Sequence, residues 1–389
     1  MGYQAGWQFL QIPGPSNVPR QVLSAMSNPT IDHRGPEFAS LATSLFPRLK
    51  SLFGTKHNVV IFPSSGTGAW EAALTNVCSM NDRVVMAETG HFSNLWYDLA
   101  LSLGFKAEIL KGNWGSGADP KVIHRRLQED AAHSIKAVCV VHNETSTGAT
   151  TDIRSVRRAI DDAFHPALLI VDTISSLASL PYEHDAWGVD VTVAGSQKGL
   201  MLPPGLAFNA FGLKAEEATS KANFPSSYFN WKNMERTEST GQFPYTPATN
   251  LLFGLKAALD LLEAEGLQNV FKRHARHGRA TRAAVTAWGL EILCQSPLQQ
   301  SDVLTAVKMP DPFSADALRT DILDRFNMPL GSGLGKLSDK VFRIGHLGYM
   351  NDLMMIGAIG GIEIGLAGIG LKLASSGLQA AASALSDRS

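Results

Sequence analysis

The sequence predicts an α/β protein with a large domain on a mostly parallel sheet and a smaller C-terminal α+β domain. Two observations carry this. Short apolar, β-branched runs alternate with longer helical patterns through the first two-thirds of the chain, the signature of a parallel sheet covered on both faces. Near residue 250 the rhythm changes to two long helical stretches and then a mixed pattern. At 389 residues, 44% hydrophobic and 18% charged, the chain is large enough to bury cores for both.

In order, strands are expected at 58–62, 83–87, 106–110, 137–141, 168–171 and 189–193. Helices fit between most of them, at 68–76, 92–103, 119–130 and 152–163. Beyond the change of rhythm, helices are expected at 250–265 and 270–288, separated by Gly266. Strands at 303–307 and 341–344 then flank a helix at 315–326. The expected domains are 1–255 and 256–389. No internal repeat or low-complexity segment is evident.

Composition excludes several classes. A formal net charge of −1, with no block of like charges, argues against a nucleic-acid partner. Cys78, Cys139 and Cys294 are odd in number and far apart, which reads as reduced thiols of a cytoplasmic protein rather than a disulfide framework. The first ten residues lack a basic region followed by an apolar core, so no secretory signal is expected. The stretch 353–373 is apolar enough to raise a membrane span, but it holds six glycines and the mid-span Glu363. Asn351-Asp352 ahead of it read as a helix cap, so a buried helix of a soluble domain is expected. His274 and His277 resemble a metal pair, yet on a charged helix they read as a solvated face, and no metal is expected.

Four places can carry chemistry. Pro63-Ser64-Ser65-Gly66-Thr67-Gly68-Ala69 joins a strand to a helix; its small residues and hydroxyls suit a phosphate, or form an ordinary glycine-rich turn. Dinucleotide and P-loop fingerprints are misspelled here: Glu71 stands where a third glycine is wanted, and Leu337 follows Gly335-Lys336. Asp172 ends an apolar strand, where a carboxylate either keeps a ligand's ring nitrogen protonated or caps the next turn. Lys198 follows a buried strand in a run with no other charge. Most lysines are solvated, but one held there has a lowered pKa and serves as an amine nucleophile toward an aldehyde. Arg343 lies inside a short apolar strand, where its planar fork suits a substrate carboxylate or a structural ion pair.

With these motifs in order, the chain resembles the class V aminotransferases of the fold-type I pyridoxal-phosphate superfamily. Further segments carry the resemblance: Pro13-Gly14-Pro15-Ser16-Asn17, Thr30-Ile31-Asp32-His33-Arg34-Gly35-Pro36, His142-Asn143-Glu144-Thr145-Ser146-Thr147-Gly148 and Phe243-Pro244-Tyr245-Thr246-Pro247. The resemblance implies pyridoxal 5′-phosphate as cofactor, with Lys198 as the amine that condenses with its aldehyde. It implies Asp172 on the pyridine nitrogen, Ile174 packed against the ring, and Phe92 stacked on it. Ser65, Gly66, Thr67 and Gln197 would hold the phosphate, and Thr145 the phenolic oxygen. Thr246 and Phe243 would reach the partner subunit's phosphate region, which makes a homodimer part of the site; Phe243 stands where relatives carry tyrosine. Arg343 would clamp the substrate carboxylate, with Gly14 and Asn17 lining the pocket and His33 and Arg34 nearby. The implied reaction moves an amino group from a small amino acid, L-serine first, to glyoxylate. Alanine and 3-hydroxyaspartate stand as other donors, pyridoxamine–pyruvate transfer and a lyase as other reactions, and a non-catalytic phosphate-binding module as a different class.

Overall fold

A computed structural model describes residues 6–386; residues 1–5, half of the segment read for a secretory signal, lie outside the description, as do 387–389. The large sheet has seven strands: β1 (Asn58–Ser64), β2 (Arg83–Ala87), β3 (Lys106–Leu110), β4 (Ile135–Val141), β5 (Leu168–Asp172), β6 (Val191–Gly195) and β7 (Gly205–Phe211). Their order across the sheet is β1-β7-β6-β5-β4-β2-β3. All run parallel except β7, which is antiparallel to β1 and β6 on either side. Six of the seven were expected from sequence, with β6 displaced two residues toward the C-terminus. The seventh, β7, was not: Gly205-Leu206-Ala207-Phe208-Asn209-Ala210-Phe211 contains no β-branched residue, so its local preference for strand is weak. Pairing on both edges makes it a strand.

Helices Gly66–Val77, His91–Ser102, Pro120–Gln128 and Ile153–Asp162 follow strands of the sheet as expected. Asp119 and Asp152 cap the last two, each accepting from a first-turn amide. The first core gathers residues from Val22 to Val270 around this sheet. A second core, from Ala280 to Leu385, packs helices Leu267–Trp288, Ala315–Phe326, Asp352–Gly368 and Gly377–Ser386 against an antiparallel sheet. That sheet has strands β8 (Glu291–Ile292), β9 (Leu304–Lys308), β10 (Gly331–Ser332) and β11 (Val341–Gly345) in the order β8-β9-β11-β10.

No helix among the described residues is long and apolar enough to cross a membrane. Asn351 caps helix Asp352–Gly368 through the Met354 amide, as its sequence suggests. Glu363 is compensated: it accepts from Trp288 Nε1 at 2.8 Å and from the Leu378 amide at 2.9 Å. The three cysteines are free and buried.

One expectation fails outright. His274 and His277 do not form a solvated face; both are fully buried. His274 Nδ1 lies 2.7 Å from the Val270 carbonyl, and its Nε2 accepts from the Gly348 amide at 3.0 Å. His277 Nε2 lies 3.1 Å from Asp352 Oδ1. Burial pushes their pKa values down to about 3 and about 4, so both are neutral core residues. No group of side chains suited to a metal occurs among the described residues.

Candidate active site

The parallel strands of the large sheet deliver their carboxyl ends to one edge, where ligands of open α/β sheets bind. Here β1 runs into Ser65-Gly66-Thr67, β4 into the loop carrying Glu144 and Thr145, β5 ends on Asp172, and β6 leads into Gln197-Lys198. Asp172 pairs with Val193 in register, so the carboxylate and the lysine leave from neighbouring strands.

Lys198 is 9% exposed, which removes it from the common run of solvated lysines. Its Nζ donates to the Pro13 carbonyl at 2.5 Å. The N-terminal segment is fastened over it: the Ser16 amide donates to the Gln197 carbonyl at 3.0 Å, and Ser16 Oγ to the Lys198 carbonyl at 2.9 Å. Gly14, at φ +108°, lies so close that an added Cβ would sit 2.6 Å from Lys198 Cε. Burial lowers the amine's pKa to about 8; the Arg343 charge adds to the shift and Asp172 opposes it.

Asp172 is buried, and its oxygens are held by two donors: the Ile174 amide on Oδ1 at 2.6 Å and Trp70 Nε1 on Oδ2 at 2.9 Å. The first caps the turn that follows the strand; the second spans two elements. Burial nevertheless raises this carboxyl to about 7, with Glu144 adding to the rise and Lys198 opposing it. A cation placed against it would bring it back to the ionised form.

Ser65 precedes helix Gly66–Val77 with no side-chain cap, leaving the first-turn amides and the positive end of the helix dipole for an anion. A Cβ at Gly66 would meet Ile174 Cγ1 at 2.8 Å, so Ile174 covers this turn and the glycine leaves it room. Gln197 lies beside the same turn: a Cβ at Gly195 would touch both Gln197 Oε1, at 3.0 Å, and the Gly66 amide, at 3.5 Å. That Gln197 oxygen is buried without a partner.

Arg343, on β11, is 7% exposed. Nε donates to the Ser332 carbonyl at 2.7 Å and Nη1 to the Thr145 carbonyl at 2.8 Å, which ties the second core to the β4 loop. Glu144 offsets its charge, but both hydrogen bonds go to backbone carbonyls, so the structural ion pair is not what holds it. Glu144 is itself fully buried and accepts from the amides of Phe92, at 3.3 Å, and Ser93, at 3.2 Å. It thereby anchors the helix that carries Phe92, a residue sequence reasoning passed over inside the quoted His142–Gly148 motif.

Not every expected residue converges. The Asn17 side chain is engaged with the Leu10 backbone in both directions, at 3.0 and 3.3 Å. Thr246 is exposed, while Arg34 donates to the Phe243 carbonyl at 2.9 Å. Phe243 corrects an expectation: its ring is 2% exposed and packs 6.1 Å from Phe38 within its own core, so it does not reach outward. Trp70 is the residue sequence missed at the centre of the site. Surface cavities of about 1060 and 890 Å³ are lined by other residues, around Arg276 and Trp187.

A buried lysine, a strand-end carboxylate beside it and an uncapped glycine turn, at the carboxyl edge of a seven-stranded sheet with one antiparallel member, define a fold-type I pyridoxal-phosphate transferase. The aminotransferase class-V family profile matches residues 8–324, and the chain belongs to that family. A serine–glyoxylate aminotransferase of Methylorubrum extorquens is 47% identical over 367 residues, covering 93% of this chain and 91% of its own. An L-aspartate–glyoxylate aminotransferase of Paracoccus denitrificans is 43% identical over 360 residues, covering 92% and 90%. The crystal structure of ureidoglycine–glyoxylate aminotransferase from Bacillus subtilis superimposes with a TM-score of 0.92 at 27% identity, covering 100% of both chains. The family implies pyridoxal phosphate, and the residues present fit it: an uncapped anion turn, a buried strand-end carboxylate and a buried amine with a lowered pKa.

Proposed function

We propose that this enzyme moves the amino group of L-serine to glyoxylate, giving hydroxypyruvate and glycine, in a ping-pong sequence. The observation that carries the chemistry is the nine-tenths buried amine of Lys198 on the strand end next to that of Asp172. The serine reading is supported by the M. extorquens relative, which matches over almost the whole chain.

When bound, pyridoxal phosphate supplies an aldehyde for the amine and a ring that accepts an electron pair while its nitrogen is protonated. In the proposed assignment, Lys198 would be the attachment point for the aldehyde and, with its amine free, the base that takes the substrate's Cα proton and returns it. A pKa near 8 keeps a useful fraction of that amine neutral at physiological pH. Asp172 would hold the ring nitrogen protonated, Ile174 and Phe92 would pack on the ring, and Thr145 would reach the phenolic oxygen. Ser65, Gly66, Thr67 and Gln197 would receive the phosphate. Arg343, fixed by two backbone carbonyls, offers its remaining donors to the substrate carboxylate. Gly14 lines the pocket against Lys198, and Asn17 holds that segment in place. The exposed Thr246 is assigned to the partner's phosphate region in a homodimer. The assignment includes a division into domains 1–255 and 256–389, and a reducing, cytoplasmic setting that suits three free thiols.

The P. denitrificans relative favours a second reading, with aspartate as donor. A screen of serine, alanine, aspartate and hydroxyaspartate against glyoxylate and pyruvate decides between them by specificity constant. The highest value for serine with glyoxylate is expected; a tenfold preference for a dicarboxylic donor would replace the serine reading. Borohydride should abolish the visible band of the holoenzyme and fix the cofactor on Lys198.

A further inference from the structure

The geometry points to Trp70 as a positioning residue that keeps Asp172 ionised and aimed at the cofactor's ring nitrogen. This rests on the reading of Asp172 as the partner of that nitrogen.

Trp70 lies on helix Gly66–Val77, whose first turn is the anion cradle. One rigid element therefore carries both the phosphate site and the indole that meets the carboxylate. The indole is 3% exposed and stacks on the fully buried Trp96, centroids 5.6 Å apart and planes at 11°. Clamped in this way, its Nε1–H points at Asp172 Oδ2 from 2.9 Å. The Ile174 amide holds the other oxygen at 2.6 Å. Each carboxylate oxygen has two lone pairs, so one donor apiece still leaves an acceptor for a ring N–H.

The surroundings make this bond matter. Burial works against the carboxylate's charge, Glu144 across the β4 loop works in the same direction, and Lys198 on the neighbouring strand end is the opposing charge. Removing the indole N–H would orphan a buried carboxylate oxygen and tip Asp172 toward its protonated form, which cannot retain a cationic ring nitrogen. Lys198, a favourable charge in the cofactor-free protein, is unavailable as a cation once it serves as the amine nucleophile.

The test is Trp70→Phe, alone and with Asp172→Asn, read first by the cofactor dissociation constant from spectral titration of the reconstituted protein. In the Asp172 background, Trp70→Phe should weaken cofactor binding about tenfold to a hundredfold, the span of a hydrogen bond to a charged group. It should lower kcat while leaving the donor KM within about threefold. With Asp172→Asn already present, the second substitution should add little, because the two residues act as one unit. Unchanged affinity in Trp70→Phe overturns the inference, as does an equal loss in both backgrounds, which marks a packing role. If Trp70→Phe does not fold, β-(3-benzothienyl)alanine at position 70 keeps the bicyclic ring without the N–H and reads the same loss. Borohydride fixation on Lys198 in the unsubstituted enzyme tests the underlying reading separately.

Discussion

Gly14→Ala separates the chemistry of this site from its stability. An added Cβ would lie 2.6 Å from Lys198 Cε and closer still to Nζ and Cδ. Ordinary van der Waals contact begins near 3.4 Å, so Cε must retreat by about 0.8 Å and the amine by more. The lysine tail is flexible, which makes this retreat cheap for the fold. The backbone, at φ +108°, is the larger structural cost, about 1–3 kcal/mol for an alanine held there. The chemical cost is of similar size but falls on the rate, because a displacement of about 1 Å at a reacting atom lowers rates roughly a hundredfold, about 2.7 kcal/mol. Nζ would also leave the Pro13 carbonyl, its hydrogen-bond partner one residue away. The expected result is a folded protein with kcat/KM for serine and glyoxylate down about a hundredfold and slowed borohydride fixation on Lys198. Gly357→Ala is the control: nothing lies within 4 Å of its added Cβ, and helical alanine there should preserve activity. A Gly14→Ala enzyme within threefold of the parent in kcat/KM would refute the claim that the amine works from beside Gly14.

Other expectations can be checked together. Lys198→Ala should fold, retain its far-ultraviolet spectrum and lose transamination and the borohydride-sensitive band; substantial turnover would remove the lysine from its role. Arg343→Gln should raise the donor KM about tenfold to a hundredfold, the worth of a charge-assisted hydrogen bond, and Arg343→Lys should not restore it, since a point charge lacks the fork. Cofactor-free protein should gain stability as pH rises from about 8 toward 10.5, because the unfolded lysine holds a proton there that buried Lys198 has already lost. The gain, about 3 kcal/mol, should be absent from denaturant midpoints of Lys198→Met. On the acid side, His274 and His277 fold neutral, with pKa values near 3 and 4 against 6.5 when exposed. Stability should therefore fall as pH drops below 6.5, and His274→Gln should flatten that limb; an unchanged slope would mean His274 titrates normally.

What the sequence determined by itself is what local pattern can encode. Apolar β-branched runs announced six strands of the large sheet, and the glycine turn, strand-end Asp172 and lone Lys198 stood out because their neighbours are small or uncharged. Asn351 was readable as a cap for the same reason: its partner, Met354, is three residues away. The tertiary structure decided whatever depends on residues distant in sequence. Strand β7 has no local preference and exists because β1 and β6 supply ladders on both edges, with Asn209 buried where Trp231 Nε1 donates to it at 3.0 Å. His274 and His277 read as surface because their helix is charged, and are core because Gly348 and Asp352 close over them. Trp70 meets Asp172 across 102 positions and Arg343 meets Thr145 across 198. Hydrogen bonds of that span leave no periodicity in the sequence, since only the packed chain brings donor and acceptor within 3 Å.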